Sequence, residues 1–354
     1  SGEEADASQP LLSVLGAGDL LAVWREEGSG GRRTLLTSRS TDGGRNWTQP
    51  QVLSTPMPGN ASYWDLSEAD SGERVLAVAD ETDQDQLWFL SSKDCGINWS
   101  TPVRIPQARG DVRIRVDRQG IVHLLYRLFE AREIWHVCSR DNGATWSGWS
   151  RVATPTYSIR DAVLDSEGNL YCLWDIETYQ QILYVEKTCL SIYRKETACW
   201  EPQQQVTSIP FGSYACSMGV LKSGKIIVFM NQHEDVFATT SNDGGKEWTE
   251  PVNVTAFGNP GVNNTRGFSM VVDGRDNLNC AFGSTQTGTC FRRSTDGGYS
   301  FEPQTCLFPA PPQYDPCIRT DREGNVYMLW TRLFVDTVHI RFWESVYFAG
   351  TVGK

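Results

Sequence analysis

The chain has no apolar run approaching the roughly 20 residues that a helix needs to span a bilayer, so no membrane span is expected. Positive charge is also in short supply. The 32 Lys and Arg against 43 Asp and Glu leave a net charge of -11, which argues against nucleic acid as a partner, since such a binder needs a basic face. Histidine is scarce, with four scattered copies, and no Cys-x-x-Cys occurs, so no metal ligand set is expected. There is no Gly-x-Ser-x-Gly elbow and no phosphate loop. Gly16-Ala17-Gly18 lacks the third glycine and the following helix of a dinucleotide fingerprint. No linker or low-complexity tract divides the 354 residues, so a single domain, 1-354, is expected.

What is plentiful is one short pattern. It reads Ser40-Thr41-Asp42-Gly43-Gly44-Arg45-Asn46-Trp47, then Ser92 to Trp99, Ser139 to Trp146, Ser241 to Trp248 and Ser294 to Phe301. The shared form is Ser-x-Asp-x-Gly followed by a large aromatic. An Asp carboxylate accepts backbone N–H groups in a tight turn, and Gly supplies a backbone angle that other residues resist. The aromatic then plugs the underside of the turn. Structural roles are therefore expected for Asp42, Asp94, Asp141, Asp243 and Asp296.

The aspartates are separated by 52, 47, 102 and 53 residues. The doubled interval implies a degenerate repeat ending at Trp200-Glu201-Pro202, which matches Trp248-Thr249-Glu250-Pro251. A period near fifty is the mark of a propeller or another repeat array. Each repeat also has an upstream half in which a polar Gly turn leads into a buried strand, as in Asp165-Ser166-Glu167-Gly168-Asn169 and Asp321-Arg322-Glu323-Gly324-Asn325. Strands A to D follow in each repeat, with the Asp turn joining C to D. The repeats fall near 11-53, 63-105, 111-153, 160-206, 214-254, 267-307 and 315-352. The expectation is an all-β fold, a seven-bladed β-propeller of four-stranded antiparallel blades. The seventh repeat has no Asp turn, and the way the ring closes is left open.

Ten cysteines are many for a reducing compartment. Cys189 with Cys199, Cys280 with Cys290, and Cys306 with Cys317 read as local disulfides, and a secreted or extracytoplasmic location follows as an expectation. The opening Ser1-Gly2-Glu3 fits a leader already removed. Sequons stand at Asn46, Asn60, Asn98, Asn253 and Asn263.

In a propeller, D-to-A and B-to-C connections share one face, away from the Asp turns. Residues there are charged or aromatic: Trp64, Asp65, Arg113, Arg160, Asp161, Tyr214 and Tyr314 at the A strands, and Arg25, Arg127, Asp175 and Arg332 after the B strands. Arginine pairs a carboxylate bidentately, carboxylates act as acid and base, and rings stack on sugars. One asymmetric bowl for an acidic glycan is expected. Arg113 and Arg160 would anchor the ligand, with Arg127, Arg25, Asp65, Trp64, Arg332 and Tyr314 as further binding residues. Asp161, Asp175 and Tyr214 are the catalytic candidates. A ring of Arg–Asp pairs that only satisfies strand ends is the alternative. The loop Asp80-Glu81-Thr82-Asp83-Gln84-Asp85 has oxygen ligands enough for calcium, though a solvated acidic loop is the plainer account. No other cofactor is expected, and oligomeric state is left open.

The five Asp turns resemble the Asp-box, or BNR repeat, of the sialidase superfamily. That resemblance implies a sialidase-like propeller. The family uses an arginine triad, a Tyr–Glu nucleophile pair and an Asp acid/base. Its first arginine lies in an Arg-Ile-Pro segment, whereas the comparable stretch here is Ser8-Gln9-Pro10-Leu11-Leu12. Sialidases are also six-bladed. The resemblance therefore implies a glycoside hydrolase or polysaccharide lyase, a non-catalytic glycan-binding lectin or adhesion propeller, or a protein-interaction scaffold, without choosing among them.

Overall fold

The computed structural model describes residues 6–15, 18–28, 31–53, 60–69, 71–180, 183–206, 213–232, 235–255, 265–284, 288–308, 313–336 and 341–349. Seven antiparallel sheets follow one another along the chain. The first comprises β1 (Asp6–Leu15), β2 (Asp19–Glu27), β3 (Arg33–Ser40) and β4 (Gln51–Val52). The second comprises β5 (Ala61–Glu68), β6 (Arg74–Asp80), β7 (Gln86–Ser92) and β8 (Val103–Arg109). The third comprises β9 (Val112–Val116), β10 (Val122–Leu128), β11 (Glu133–Ser139) and β12 (Ser147–Ala153). In the fourth, β13 (Ser158–Leu164), β14 (Leu170–Gln180) and β15 (Leu183–Arg194) share an outer edge formed by β16 (Cys199–Trp200) and β17 (Gln204–Gln205).

The fifth sheet has β18 (Ser213–Val220), β19 (Ile226–Gln232), β20 (Asp235–Ser241) and β21 (Val252–Asn253). The sixth has β22 (Thr265–Val272), β23 (Leu278–Ser284), β24 (Gly288–Ser294) and β25 (Thr305–Phe308). The last has three strands, β26 (Gln313–Thr320), β27 (Val326–Asp336) and β28 (Arg341–Ala349). The expectation of seven four-stranded blades is therefore corrected: six blades have the full outer edge, and the seventh repeat contributes a three-stranded sheet. The seventh repeat lacks the Ser-x-Asp-x-Gly turn that joins the third strand to the fourth in five of the other blades.

The core is a set of apolar layers between neighbouring sheets. Leu21 and Val23 pack with Leu66, Leu76 and Val78 between the first and second. Phe89 packs with Ile114, Leu124 and Val137 between the second and third. The set closes where Leu12, Val14 and Leu20 meet Cys317, Tyr327 and Leu329, so the last sheet packs directly on the first. Among the described residues β1 is hydrogen-bonded to β2. Closure thus comes from face packing, with no strand shared between first and last sheets among the described residues.

The Asp turns fasten these layers. In the third blade Ser139 Oγ donates to Asp141 Oδ1 at 2.8 Å and accepts from the Gly143 amide at 2.7 Å. Asp141 Oδ1 accepts from the Thr145 amide at 2.8 Å. The other boxes repeat this, with Asp42, Asp94, Asp243 and Asp296 accepting the amides of Asn46, Asn98, Glu247 and Ser300. Gly143 has φ +84°, and a Cβ there would stand 2.2 Å from the ring of Phe89 in the preceding blade. The aromatic that ends the motif, Trp146, meets the same Phe89 edge-on at 5.5 Å. The box therefore works between blades as well as within its own hairpin.

A second aspartate turn recurs at the A-to-B connections. Asp117 Oδ1 accepts from the amides of Gln119 and Ile121, each at 2.9 Å. Asp165, Asp273 and Asp321 accept the amide four residues on, at Asn169, Asn277 and Asn325.

Cysteine pairing differs from the sequence expectation. Cys290 pairs with Cys306 across β24 and β25, where the two are directly opposite. Cys189, Cys199, Cys280 and Cys317 are free. The reason is register: Cys280 lies opposite Arg292, while Cys290 lies opposite Phe282 on one side and Cys306 on the other. Cys199 sits opposite Arg194, and Cys189 opposite Trp174 and Gln205.

Candidate functional site

The innermost strands surround a central cavity of about 1060 Å³. Its mouth on the side away from the Asp turns is built from the starts of the A strands and the ends of the B strands. Most A strands carry a register shift near this end, for instance between Ile159 and Asp161 on β13 and between Ala61 and Trp64 on β5. Such bulges re-aim side chains beside functional sites. Here the shift leaves Arg160 outside the ladder, where its side chain meets Asp175 on β14.

Inside the cavity the charges singled out from the sequence are paired. Arg113 donates to Asp111 Oδ1 at 2.9 Å and to the Ile159 carbonyl at 2.9 Å. Burial opposes its charge, but Asp111, Asp65 and Asp161 outweigh that and hold Arg113 above its ordinary value. Arg160 Nε bonds Asp175, whose other oxygen accepts from Thr188 Oγ1 at 2.9 Å. Asp175 is fully buried behind that pair.

Asp161 accepts from the Ala162 amide at 2.8 Å, the Met218 amide at 2.9 Å, Ser217 Oγ at 3.1 Å and Arg115 at 3.3 Å. Asp65 accepts from the Ile114 amide at 3.0 Å and from Arg115 at 2.5 Å. Arg115 therefore bridges the carboxylates of the second and fourth blades from its place in the third. Sequence reasoning passed over it. The signal was the alternation Arg113, Arg115 along one strand, which sends both side chains to the same face.

Glu68 also lines the cavity. Burial pushes its carboxyl up, against the opposing pull of Arg319, Ser13 and Arg74. It sits at the far end of β5, toward the Asp turns, so its shifted carboxyl is not at the mouth.

The mouth rim is different in kind. Arg127 is buried to 7% exposure at the end of β10. One Nη donates to the Thr156 carbonyl at 3.1 Å, and Nε is buried without a partner. Among the described residues it meets no carboxylate at ion-pair distance. Its guanidinium lies 4.7 Å from the Phe129 ring centre and 5.9 Å from that of Tyr157. Burial draws Arg127 below its ordinary value, with Asp111 opposing. Tyr63 packs on Phe129 at 5.6 Å. Tyr63, Phe129 and Tyr157 are 39%, 38% and 43% exposed, unusual values for three neighbouring rings. Nearby, Arg25 lies 5.3 Å over the Trp64 ring. Phe129 was not singled out in the sequence, because it stands in a hairpin loop with no repeat counterpart.

The structure thus brings Trp64, Asp65, Arg113, Arg160 and Asp161 to the cavity wall, with Asp175 behind it and Arg25 and Arg127 at the rim. The side chains of Tyr214, Tyr314 and Arg332 lie outside the described residues. In the acidic loop, Asp80 Oδ1 accepts from the Thr82 amide at 2.9 Å and Asp85 from Ser62 Oγ at 2.7 Å. Glu81 pairs with Arg33 and Asp83 with Arg104. Each of these four carboxylates has a protein partner, while Asp80 Oδ2 is buried without one. No helix among the described residues is long and apolar enough to cross a membrane.

Comparison with known proteins agrees with this architecture. Residues 3–113 match the BNR repeat-like domain. No curated protein matches the sequence. A protein of unknown function from Dyadobacter fermentans superposes with a TM-score of 0.59 at 13% identity, covering 99% of this chain and 96% of the other. An alpha-L-arabinofuranosidase from Fusarium graminearum, solved with an iminosugar inhibitor, gives 0.54 at 13% identity over 82% and 93%. The intramolecular trans-sialidase of Ruminococcus gnavus, solved with oseltamivir carboxylate, gives 0.50 at 14% identity over 92% and 89%. The chain spans 66% of the length of the NanB sialidase from Streptococcus pneumoniae. At such identities the likeness is one of fold. With its sheet architecture and its repeated Ser-x-Asp-x-Gly turns, the chain has a β-propeller fold with a BNR repeat-like segment, similar to the sialidase-like propellers.

Proposed function

We propose that this propeller is a secreted carbohydrate-active protein that takes an acidic glycan at the mouth opposite the Asp turns. The observation that carries the reading is Arg127, a buried guanidinium without a carboxylate partner among the described residues, set between exposed aromatic rings. A sugar ring stacks on an aromatic face while its carboxylate takes charge-assisted hydrogen bonds from arginine. Arg113 and Arg160 are each already held by an aspartate of their own blade, Asp111 and Asp175. Neighbouring folds that include an alpha-L-arabinofuranosidase and an intramolecular trans-sialidase support a glycosidase-type reading.

A non-catalytic glycan-binding reading has its own observation. Asp161 and Asp175 are engaged on both oxygens, which leaves neither as an uncommitted acid or base. The test is a screen of sialylated and uronate-containing glycans for binding and for bond cleavage, run on the native chain and on Arg127→Ala. Binding should fall about ten- to a hundredfold in the variant, the loss expected for a charge-assisted hydrogen bond. Equal binding by both proteins would remove Arg127 as the anchor. Cleavage by the native chain would select the hydrolase or lyase, and binding without cleavage the lectin.

A further inference from the structure

Away from the mouth, three potential metal ligands converge on one flank of the third blade. His123 on β10 lies directly opposite Cys138 on β11, and His136 stands two residues before Cys138 on the same face. His123 Nδ1 is 3.1 Å from His136 Nε2, and Cys138 Sγ is 3.4 Å and 3.3 Å from those nitrogens. Two imidazole nitrogens and a thiolate on a tetrahedral zinc ion stand about 3.3–3.6 Å apart, given the usual zinc–nitrogen and zinc–sulfur distances. The observed spacings fall close to that range.

A second observation concerns the outer nitrogen. His123 Nε2 is buried without a hydrogen-bond partner and faces Asp117 Oδ2 at 4.0 Å. A carboxylate behind a ligating imidazole fixes its tautomer and raises its basicity. Asp117 is itself held by Lys195 Nζ at 2.9 Å, a residue of the next blade. His136 is wedged between the rings of Tyr193 and Trp200, also from that blade, at 4.9 and 5.4 Å. Without an ion the cluster balances poorly. Whichever imidazole donates across the 3.1 Å contact, a buried ring nitrogen is left unpaired, because both His123 Nε2 and His136 Nδ1 lack partners.

We infer that His123, His136 and Cys138 form a binding site for one borderline-soft divalent ion of the zinc class, clamped between the third and fourth blades. Two neutral imidazoles and one thiolate suit such an ion and disfavour calcium or magnesium. On binding, the Cys138 S–H bond breaks, sulfur bonds the metal, and the proton leaves to solvent. The three protein ligands leave a fourth position for water.

The full chain, stripped with a chelator and free of any added histidine tag, is titrated with Co2+ and then Zn2+. The site predicts one equivalent of Co2+, a thiolate-to-cobalt charge-transfer band in the near ultraviolet, and loss of that band when Zn2+ displaces cobalt. Cys138→Ser should remove the band and weaken Zn2+ binding at least about tenfold, with metal-free melting close to that of the native chain. The native spectrum decides even if that variant folds poorly. A native chain that binds no stoichiometric metal, or binds it without a thiolate band, overturns the site. So does unchanged Zn2+ affinity in Cys138→Ser.

Discussion

Ser139 and Gly143 show how much one turn residue carries. Ser139 is fully buried and holds both the Asp141 carboxylate and the Gly143 amide. Ser139→Ala leaves that amide without an acceptor and should cost about 1–3 kcal/mol, measured by urea unfolding. Gly143→Ala should be worse, because the new Cβ would meet the Phe89 ring at 2.2 Å in a left-handed backbone region. A Gly143→Ala protein as stable as the native one would contradict the packing of box on blade. Asp175 makes a comparable case in the interior. Arg160→Ala strands a fully buried carboxylate and should cost about 3–5 kcal/mol. Glycan affinity need not change in step with that loss, so melting and binding should be read together.

Among the elements, the hairpins with local chemistry were legible and those fixed by register were not. The Asp turns are written within eight residues, so their hydrogen bonds follow from sequence alone. Cysteine pairing required the register of β24 against β25, which sets Cys290 opposite Cys306. The Asp117–Ile121 kind of turn carries the same logic as the box, but its spacing was read only as a polar Gly turn. Arg113 and Arg160 were recognised and pair within their own blades, whereas ion pairs that cross to neighbouring blades are revealed by no single-strand pattern. Arg115, which reaches Asp65 and Asp161 across three blades, is the clearest instance.

The Asp turns also set a pH dependence. Hydrogen bonds from Asn46 and Ser40 hold the Asp42 carboxyl at about 2. At Asp296 burial opposes the shift, yet the bonds from Ser300 and Ser294 still hold it at about 2. A carboxyl depressed in the folded state stabilises the fold fully above its unfolded pKa of about 4 and loses that contribution as pH falls toward the folded value. Melting temperature should therefore drop between about pH 4 and pH 2. Asp296→Asn should flatten part of that drop; an identical profile in the variant would show that the turns are not the groups being titrated.

At the scale of the whole molecule, successive sheets share apolar layers, and the last sheet closes on the first through Leu12, Val14 and Tyr327. This rigid ring holds a charge-paired cavity and leaves a single aromatic rim with an arginine lacking a carboxylate partner among the described residues. The most direct measurement is a crystal structure of the chain soaked with acidic oligosaccharides. The account predicts a sugar carboxylate at the Arg127 guanidinium, with the sugar ring against Tyr63, Phe129 or Tyr157. Glycan density on the Asp-turn face, or along an outer blade with the Arg127 rim empty, would contradict it.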